Sequence, residues 1–346
     1  MYNNCDNNSF SKEYQKRCAF VINAHAKKVD EYLIKKLIKI IPSTDLFYSK
    51  NIKNSEHYFR FILKKGYGKI ISGGGDGTFV NAINIIRKIA REEGVKRIPA
   101  IGILSLGTGN ALAKELSSRA PLKDLKHFIN HKKIYLKEFK MIECNNGIIT
   151  PFAGIGYDAE VLQDYLHLKK KLKKTFLSKI ISSICGYIIS FITITLPRYI
   201  KNRKKIVTVK VITKAKAYKI IRTKSDYKEI IFNSNQIIYN GNISLLSIGS
   251  IKYFGYGLKM FPLANYKKKF LHLRIVSCNP LFFLANINKI WNGTFYNKHI
   301  HEFLITNVEV INSTILPYQI GGDFMNYKKK VSFRVARWVI PMINIF

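Results

Sequence analysis

Acidic residues are scarce in this chain: 21 Asp and Glu stand against 58 Lys and Arg in 346 residues, a formal charge of +37. That imbalance excludes no fold, but its field attracts polyanions of any kind, whether nucleic acid, an anionic bilayer or nucleotide phosphates. Much of the excess is Lys scattered among Ile and Asn, the pattern a compositional drift would also leave, so the total alone selects none of these. Cysteine is sparse as well. The five (Cys5, Cys18, Cys144, Cys185, Cys278) are odd in number and form no CxxC pair, which argues against a zinc or redox motif and for a reducing, cytoplasmic setting. The eight histidines show no metal-ligand spacing, His299 and His301 being only an i, i+2 pair. The first 18 residues lack the apolar core of a signal peptide.

Long apolar runs are missing too. The longest uncharged stretch of interest, Ile180 to Leu196, is at the lower limit for a span and carries Ser182, Ser183, Ser190, Thr193 and Thr195, which weaken insertion. It reads first as a core helix and next as a membrane-surface helix, because Lys169–Lys174 and Arg198–Lys205 bracket it with positive charge.

What is present is a hydrophobic fraction of 47% and an aromatic fraction of 13%, enough for one large core or two medium ones. Residues 17–23 form a short buried strand, Val29 to Ile40 a helix, Thr44 to Tyr48 a strand, Ser55 to Lys65 a helix, and Lys69 to Ser72 a third strand. This alternation predicts a parallel sheet wound with helices. Two glycine loops then follow two strands. Lys69–Ser72 runs into Gly73, Gly74, Gly75, Asp76, Gly77 and Thr78; Ala100–Leu104 runs into Leu106, Gly107, Thr108, Gly109 and Asn110, each leading into a helix. Beyond about residue 146, alternating segments such as Val207–Val211, Gln236–Tyr239 before Asn240-Gly241, and Phe270–Val276 predict a mostly antiparallel second domain.

Glycines after a strand let the backbone approach a phosphate and aim N–H groups at it, and the following helix N-terminus adds partial positive charge. Asp76 is the informative residue, because a carboxylate in such a loop is repelled by phosphate unless a magnesium ion bridges them or the carboxylate handles a proton. A tight turn with Asp76 as a turn residue is the plainer alternative. The second loop, with Gly107, Thr108, Gly109 and Asn110, repeats the small-and-hydroxyl pattern where the same crevice needs it.

The order GGGDGT, then IPAIGILSLGTGNALAKEL, then PFAGIGYDAEV resembles the diacylglycerol kinase family, which includes sphingosine and ceramide kinases. Phe254 to Met260 followed by Pro262 and Ala264 resembles that family's glycine-rich strand and P-x-A element, and Gln319 to Phe324 lies where a D-G-E motif is expected. The resemblance implies an α/β domain with a parallel sheet like that of NAD kinase (residues 15–145), a mostly antiparallel β-sandwich domain for the lipid (146–318), and terminal strands (319–346) returning to the first domain. It implies an ATP-dependent lipid kinase of phospholipid metabolism using Mg2+, held peripherally on an anionic membrane surface at the inner face of a membrane, with no specific nucleic-acid partner. By matching position, Asn23, Ser49, Gly73, Gly74, Gly75, Asp76, Gly77, Thr78, Gly107, Thr108, Gly109 and Asn110 would hold ATP. Asp76 would also bear on the ATP-bound magnesium, Asp323 with Asp76 would be catalytic, and Gly154, Gly156 and Asp158 would face the substrate.

Departures are visible. Phe79, Val80 and Asn81 follow the first loop where the family has x-N-E. Asn23-Ala24-His25-Ala26 replaces a longer loop. Lys267 to His272 stands where some bacterial members carry an acidic magnesium-binding element, so that metal site is expected to be absent. Gly321-Gly322-Asp323 leaves Asp323 as the carboxylate able to serve as base. The rival readings are an NAD kinase-like enzyme, which shares GGDGT, and a catalytically impaired membrane-binding member.

Overall fold

The structure, a computed structural model, describes residues 17–118, 120–130, 135–175, 177–181, 183–201, 207–223 and 226–344. The outermost residues of the expected domain bounds (15–16 and 345–346), Cys5, Ser182 and residues 202–205 of the second basic run lie outside the described residues. The chain divides into two compact units, residues 1–140 with 337–346, and residues 141–336. The return to the first unit is thus made by the last ten residues, whereas 319–336 stay in the second.

In the first unit the short apolar runs become strands buried on both faces: β1 (Cys18–Asn23), β2 (Leu46–Ser49), β3 (Lys69–Gly74) and β4 (Ala100–Ser105). Their order is β2-β1-β3-β4-β18-β5, where β5 is Tyr135–Phe139 and β18 is Ile340–Asn344. The first four are mutually parallel, β18 runs parallel to β4, and β5 pairs antiparallel to β18. All four carboxyl ends therefore lie along one edge of the sheet, the edge at which open α/β sheets bind ligands.

The crossover helices are α1 (Glu31–Ile40), α2 (Ile52–Lys64), α3 (Asp76–Glu92), α4 (Ala111–Glu115) and α5 (Pro121–Asn130). Asp30 and Asn51 start the first two, their carboxylate and amide oxygens accepting from Leu33 N and Asn54 N. The apolar stripe Leu33, Leu37 and Ile41 packs with Phe20, Ile22, Ile71, Leu104 and Ile343 in one core, so β18 plugs the same core that β1 opens.

The second unit is one twelve-stranded antiparallel sheet. Its strands are β6 (Ile142–Cys144), β7 (Ile149–Thr150), β8 (Phe152–Gly156), β9 (Thr208–Thr213), β10 (Ala217–Arg222), β11 (Tyr227–Phe232), β12 (Ile237–Asn242), β13 (Leu245–Gly249), β14 (Leu271–Val276), β15 (Ile300–Ile305), β16 (Asn307–Ile320) and β17 (Asp323–Val335). The expected period-two segments fall in β9, β12 and β14. Asn240-Gly241, expected as a turn, lies inside β12 opposite Lys210 and Val209, where a register shift between Ile237 and Tyr239 absorbs the irregularity. β16 pairs with β9 through residues 308–312 and with β8 through 318–320, and a single core gathers Ile155, Val211, Leu246, Leu273, Phe303, Val310 and Phe333. The sheet encloses that core by folding over itself, as a sandwich does.

Helices α6 (Tyr157–Lys171), α7 (Ser178–Ile181), α8 (Ile184–Ser190), a π-helical turn (Phe191–Thr195) and α9 (Leu196–Lys201) cover one side. Two short helices, α10 (Pro280–Ala285) and α11 (Ile287–Trp291), complete the unit. The expected core helix over 180–196 is corrected: the segment is broken into these pieces, and Ile180, Ile188, Ile192 and Ile200 are each 46–48% exposed. Its other side is buried through Ile181, Ser190 and Thr195. No helix among the described residues is long and apolar enough to cross a membrane.

Inside the sheet, Glu302 (3% exposed) sits between Arg274 Nη2 at 2.6 Å and Arg222 Nε at 2.7 Å. His272 is fully buried beside them, its ring nitrogens without hydrogen-bond partners, and burial lowers its pKa from 6.5 to about 3. The folded chain keeps this ring neutral while the unfolded chain takes up a proton near 6.5, so stability is lost as pH falls below 6.5. The expected slope from this group is about 1.4 kcal/mol per pH unit at its steepest, flattening near pH 3. In urea titrations from pH 7 to 4, His272→Leu should show a shallower pH dependence than the wild type, and an unchanged slope would remove His272 from acid lability.

Candidate active site

Asn23, Ser49, Gly74 and Ser105 end the four parallel strands on the ligand-binding edge. The Asn23 amide donates to Thr78 Oγ1 at 3.0 Å, tying the end of β1 to the first turn of α3. Ser49 lies beside Asn23 in the β1–β2 ladder, but its hydroxyl is spent on Asn51 O and on Ser55.

The two glycine loops cross in backbone contact. Leu106 N and Gly107 N both donate to Gly74 O at 3.0 Å. A Cβ on Gly107 would lie 2.3 Å from Gly75 Cα, and one on Gly74 would strike Thr78 at 2.4 Å. Gly73 is equally closed, with Ile22 Cδ1 at 2.4 Å from such a carbon, whereas nothing approaches one on Gly77. The close packing that glycine allows leaves the first turn of α3 open at its N-terminus, with orphan N–H groups and the positive end of a 17-residue helix.

Asp76 does something the sequence did not show. Its carboxylate accepts from Ala111 N (2.9 Å) and Leu112 N (3.0 Å), so it caps α4 across the crossing. Burial raises its pKa and those two donors oppose the rise. Asn110 adopts a left-handed conformation (φ 47°), its amide donates to Gly107 O at 2.8 Å, and its Oδ1 is buried without a partner, an acceptor turned toward no protein donor. Thr108 is exposed and Gly109 half-buried. Lys28, which pattern reading passed over, is anchored on the second loop through Lys28 N to Leu106 O and Nζ to Ser105 O, and places a cation at this edge.

In the second unit a separate constellation forms around Asp158, the second residue of α6. Its Oδ2 accepts from Ser247 Oγ (2.7 Å) and Gln319 Nε2 (3.3 Å), while Oδ1 is buried with no partner. Burial, opposed by those hydrogen bonds, raises its pKa to about 7. Gly154 and Gly156 serve this placement: a Cβ on Gly154 would lie 2.0 Å from Asp158 Oδ2, and Gly156 (φ 88°) turns the chain from β8 into α6. Gln319 holds Asp158 with its amide and accepts from Gly322 N (3.0 Å) with its carbonyl, tying Asp158 to the β16–β17 turn that carries Asp323. Asp323 stands exposed at that turn with no hydrogen bond or ion pair among the described residues, its pKa raised by partial desolvation. Ser247 and Gln319 lie 89 and 161 residues from Asp158, and no local motif announces them.

No group of three or more His, Cys, Asp or Glu able to hold a metal occurs among the described residues. In the segment Lys267 to His272, Lys267 pairs with Glu229 at 2.6 Å and lies 4.0 Å from the Tyr218 ring centroid.

The segment that carries both glycine loops also matches a known family. Residues 17–141 match the diacylglycerol kinase catalytic domain. Among solved structures, a diacylglycerol kinase from Bacillus anthracis str. Sterne aligns over 95% of this chain and 97% of its own, with 16% identity and a TM-score of 0.61. A second structure from that organism gives 18% identity and a TM-score of 0.62 at the same coverage. An NAD kinase from Archaeoglobus fulgidus in complex with ATP shares 9% identity over 94% of this chain and 93% of its own, with a TM-score of 0.45. At such identities the bacterial structures establish a shared two-part fold. No curated protein matches the sequence.

Asp76, which caps α4, is therefore expected to contribute to stability. Asp76→Asn keeps one acceptor and turns an amide donor toward a backbone N–H, which should cost about 1–3 kcal/mol in urea unfolding. Wild-type stability in this variant would show that the α4 cap is dispensable.

Proposed function

We propose that the chain is an ATP-dependent lipid kinase that phosphorylates the hydroxyl of diacylglycerol or a related lipid. The observation that carries this reading is the crossing of the two glycine loops at the carboxyl edge of a parallel sheet, in a segment matching the diacylglycerol kinase catalytic domain. ATP phosphates fit the open N-terminus of α3 with Gly74 to Thr78, and Asn110 Oδ1 and Lys28 are a free acceptor and a cation for the rest of the nucleotide. Magnesium arrives on the ATP, where it neutralises phosphate charge. Asp76 fits a role near it through the lone pairs its backbone donors leave, although no protein cage for a metal is built there.

On the acceptor side, Asp323 accepts the proton as the lipid hydroxyl oxygen bonds to the γ-phosphorus and the bond to ADP breaks. Its exposure and lack of protein partners suit it to that role. Asp158, with one buried oxygen unpartnered, is ready to take a hydrogen bond from the substrate.

Thin-layer separation of labelled product, after incubation with radiolabelled ATP and a panel containing diacylglycerol, sphingosine, ceramide and NAD, tests this directly. A phosphorylated lipid is expected; transfer to NAD alone, or to nothing, would overturn the proposal. Asp323→Asn should lower kcat by about 100-fold or more with ATP affinity unchanged, as for a group engaged in the transition state. An equal loss of ATP affinity would make Asp323 a nucleotide ligand instead.

The same reading places the enzyme on a membrane surface. Exposed lysines 169, 170, 171, 173 and 174 adjoin the exposed Ile180, Ile188, Ile192 and Ile200, a basic and apolar face suited to an anionic bilayer. Sedimentation with phosphatidylserine-containing vesicles should be strong in low salt and reduced in high salt. Replacing the five lysines with Gln should remove the salt-sensitive part, and Ile188→Asn with Ile192→Asn the residual part. No sedimentation in low salt would sink this placement.

A further inference from the structure

Tyr256 occupies the left-handed backbone region (φ 49°), flanked by Gly255 (φ 153°) and Gly257 (φ 86°). A bulky residue there is sterically strained, whereas glycine is not, and the chain has glycine at both neighbours but not here. The tyrosine side chain is therefore what the position requires. Its ring meets Tyr187 of α8 edge-on at 6.0 Å, and Tyr187 stacks on Tyr165 of α6 at 3.8 Å with planes 15° apart. Tyr165 is buried, while Tyr187 and Tyr256 are half-buried and retain accessible surface.

A second irregularity converges on the same rings. The π-helical turn 191–195 follows α8 directly and re-aims it, a device frequent at functional sites. It is pinned by Asp164 of α6, whose two oxygens accept from Thr195 Oγ1 and Arg198 Nη2, each at 2.7 Å. So clamped, α8 carries Tyr187 on its inner side and the exposed Ile188 on its outer side. Asp323 opens β17, and Tyr327 of that strand donates its hydroxyl to Gln163 of α6 at 3.0 Å, holding the strand against the helix that carries Tyr165; burial, then Tyr165 and Tyr256, and last Asp323 raise the pKa of the Tyr187 phenol.

We propose that Tyr165, Tyr187 and Tyr256 form an aromatic shelf in the second unit that binds the hydrocarbon next to the reacting hydroxyl of an aliphatic acceptor, presenting that hydroxyl to Asp323. Rigid aromatic faces bury alkyl chain at little entropy cost, and the apolar outer side of α8 continues toward the surface from which a lipid arrives. The shelf rests on the reading of Asp323 as the acceptor-side carboxylate, and it assigns chain recognition to residues that no motif of the sequence singled out.

Tyr256→Gly tests it with opposed readouts. Glycine relieves the backbone strain, so the melting temperature should hold or rise. Loss of the ring should lower kcat/KM for a long-chain diacylglycerol by about tenfold, with KM for ATP unchanged and a short-chain acceptor much less affected. Tyr187→Ala should behave likewise toward acceptors, and Tyr187→Phe should retain activity. Saturation-transfer NMR with 1-octanol reads binding without turnover, and its signal should fall in Tyr256→Gly and Tyr187→Ala. Equal octanol signal in all variants, or long-chain and short-chain acceptors falling together, would overturn the shelf. A wild type that binds octanol through these rings yet phosphorylates no lipid would leave the shelf standing and refute the kinase reading instead.

Discussion

The first unit depends on two peptide backbones meeting where no side chain can fit. Gly74 O receives two N–H donors from the second loop, and Gly75 and Gly107 touch through their α-carbons. Because dense packing responds to even one methylene, this approach does not loosen gradually. It fixes β3 against β4 at their ends, and the Asn23 to Thr78 hydrogen bond adds β1. Asp76 then sets the start of α4. Two helix N-termini are thereby placed by one contact.

Two aspartates at helix starts illustrate how surroundings divide one residue type into two roles. Asp76 has a backbone donor for each oxygen, and these oppose the rise in pKa that burial causes. Asp158 receives both of its side-chain donors on one oxygen and leaves the other bare, and its pKa rises to about 7. The first is a finished structural joint. The second is near the midpoint of its titration at neutral pH, and Gln319 links it to the turn of Asp323. One glutamine side chain thus joins Asp158 to the backbone of the turn that carries Asp323.

The alternation of apolar strand and amphipathic helix was legible because each element is encoded within its own ten to fifteen residues. The glycine loops were legible for the same reason, and so was the antiparallel character of the second unit. What stayed hidden depends on long sequence separation. Nothing near Asp76 says that its partners are Ala111 and Leu112, and nothing near Asp158 points to Ser247 or Gln319. Ile180 to Leu196 was misread as core because composition reports how apolar a segment is and not how many of its faces find a partner. There the π-turn and the Asp164 clamp bury one side and leave a row of isoleucines outside. Asn240-Gly241 misled similarly, since a strand that bulges accommodates a glycine as readily as a hairpin does.

The scarcity of acid takes on meaning when its 21 members are followed into the fold. Glu302 neutralises buried Arg274 and Arg222, Asp164 clamps the π-turn, Glu143 meets Arg334 at 3.2 Å, Asp76 caps a helix, and Asp158 anchors the second constellation. Several carboxylates are thus committed to interior joints, and Glu302, Asp164 and Glu143 pair there with arginine, whose planar fork suits such pairing, while Glu56, Glu92 and Glu93 join Arg60 and Lys88 at the surface. The lysines remain on the surface with few counter-charges, and the positive field follows from where the acids went. Asp323, exposed at a turn, makes no side-chain hydrogen bond or ion pair among the described residues. An unpaired acid there adds nothing to the scaffold's cohesion, and its turn is held from behind by Gln319 and Gly322. That combination, a turn held from behind and an exposed carboxylate, is what the proposed proton acceptor would require.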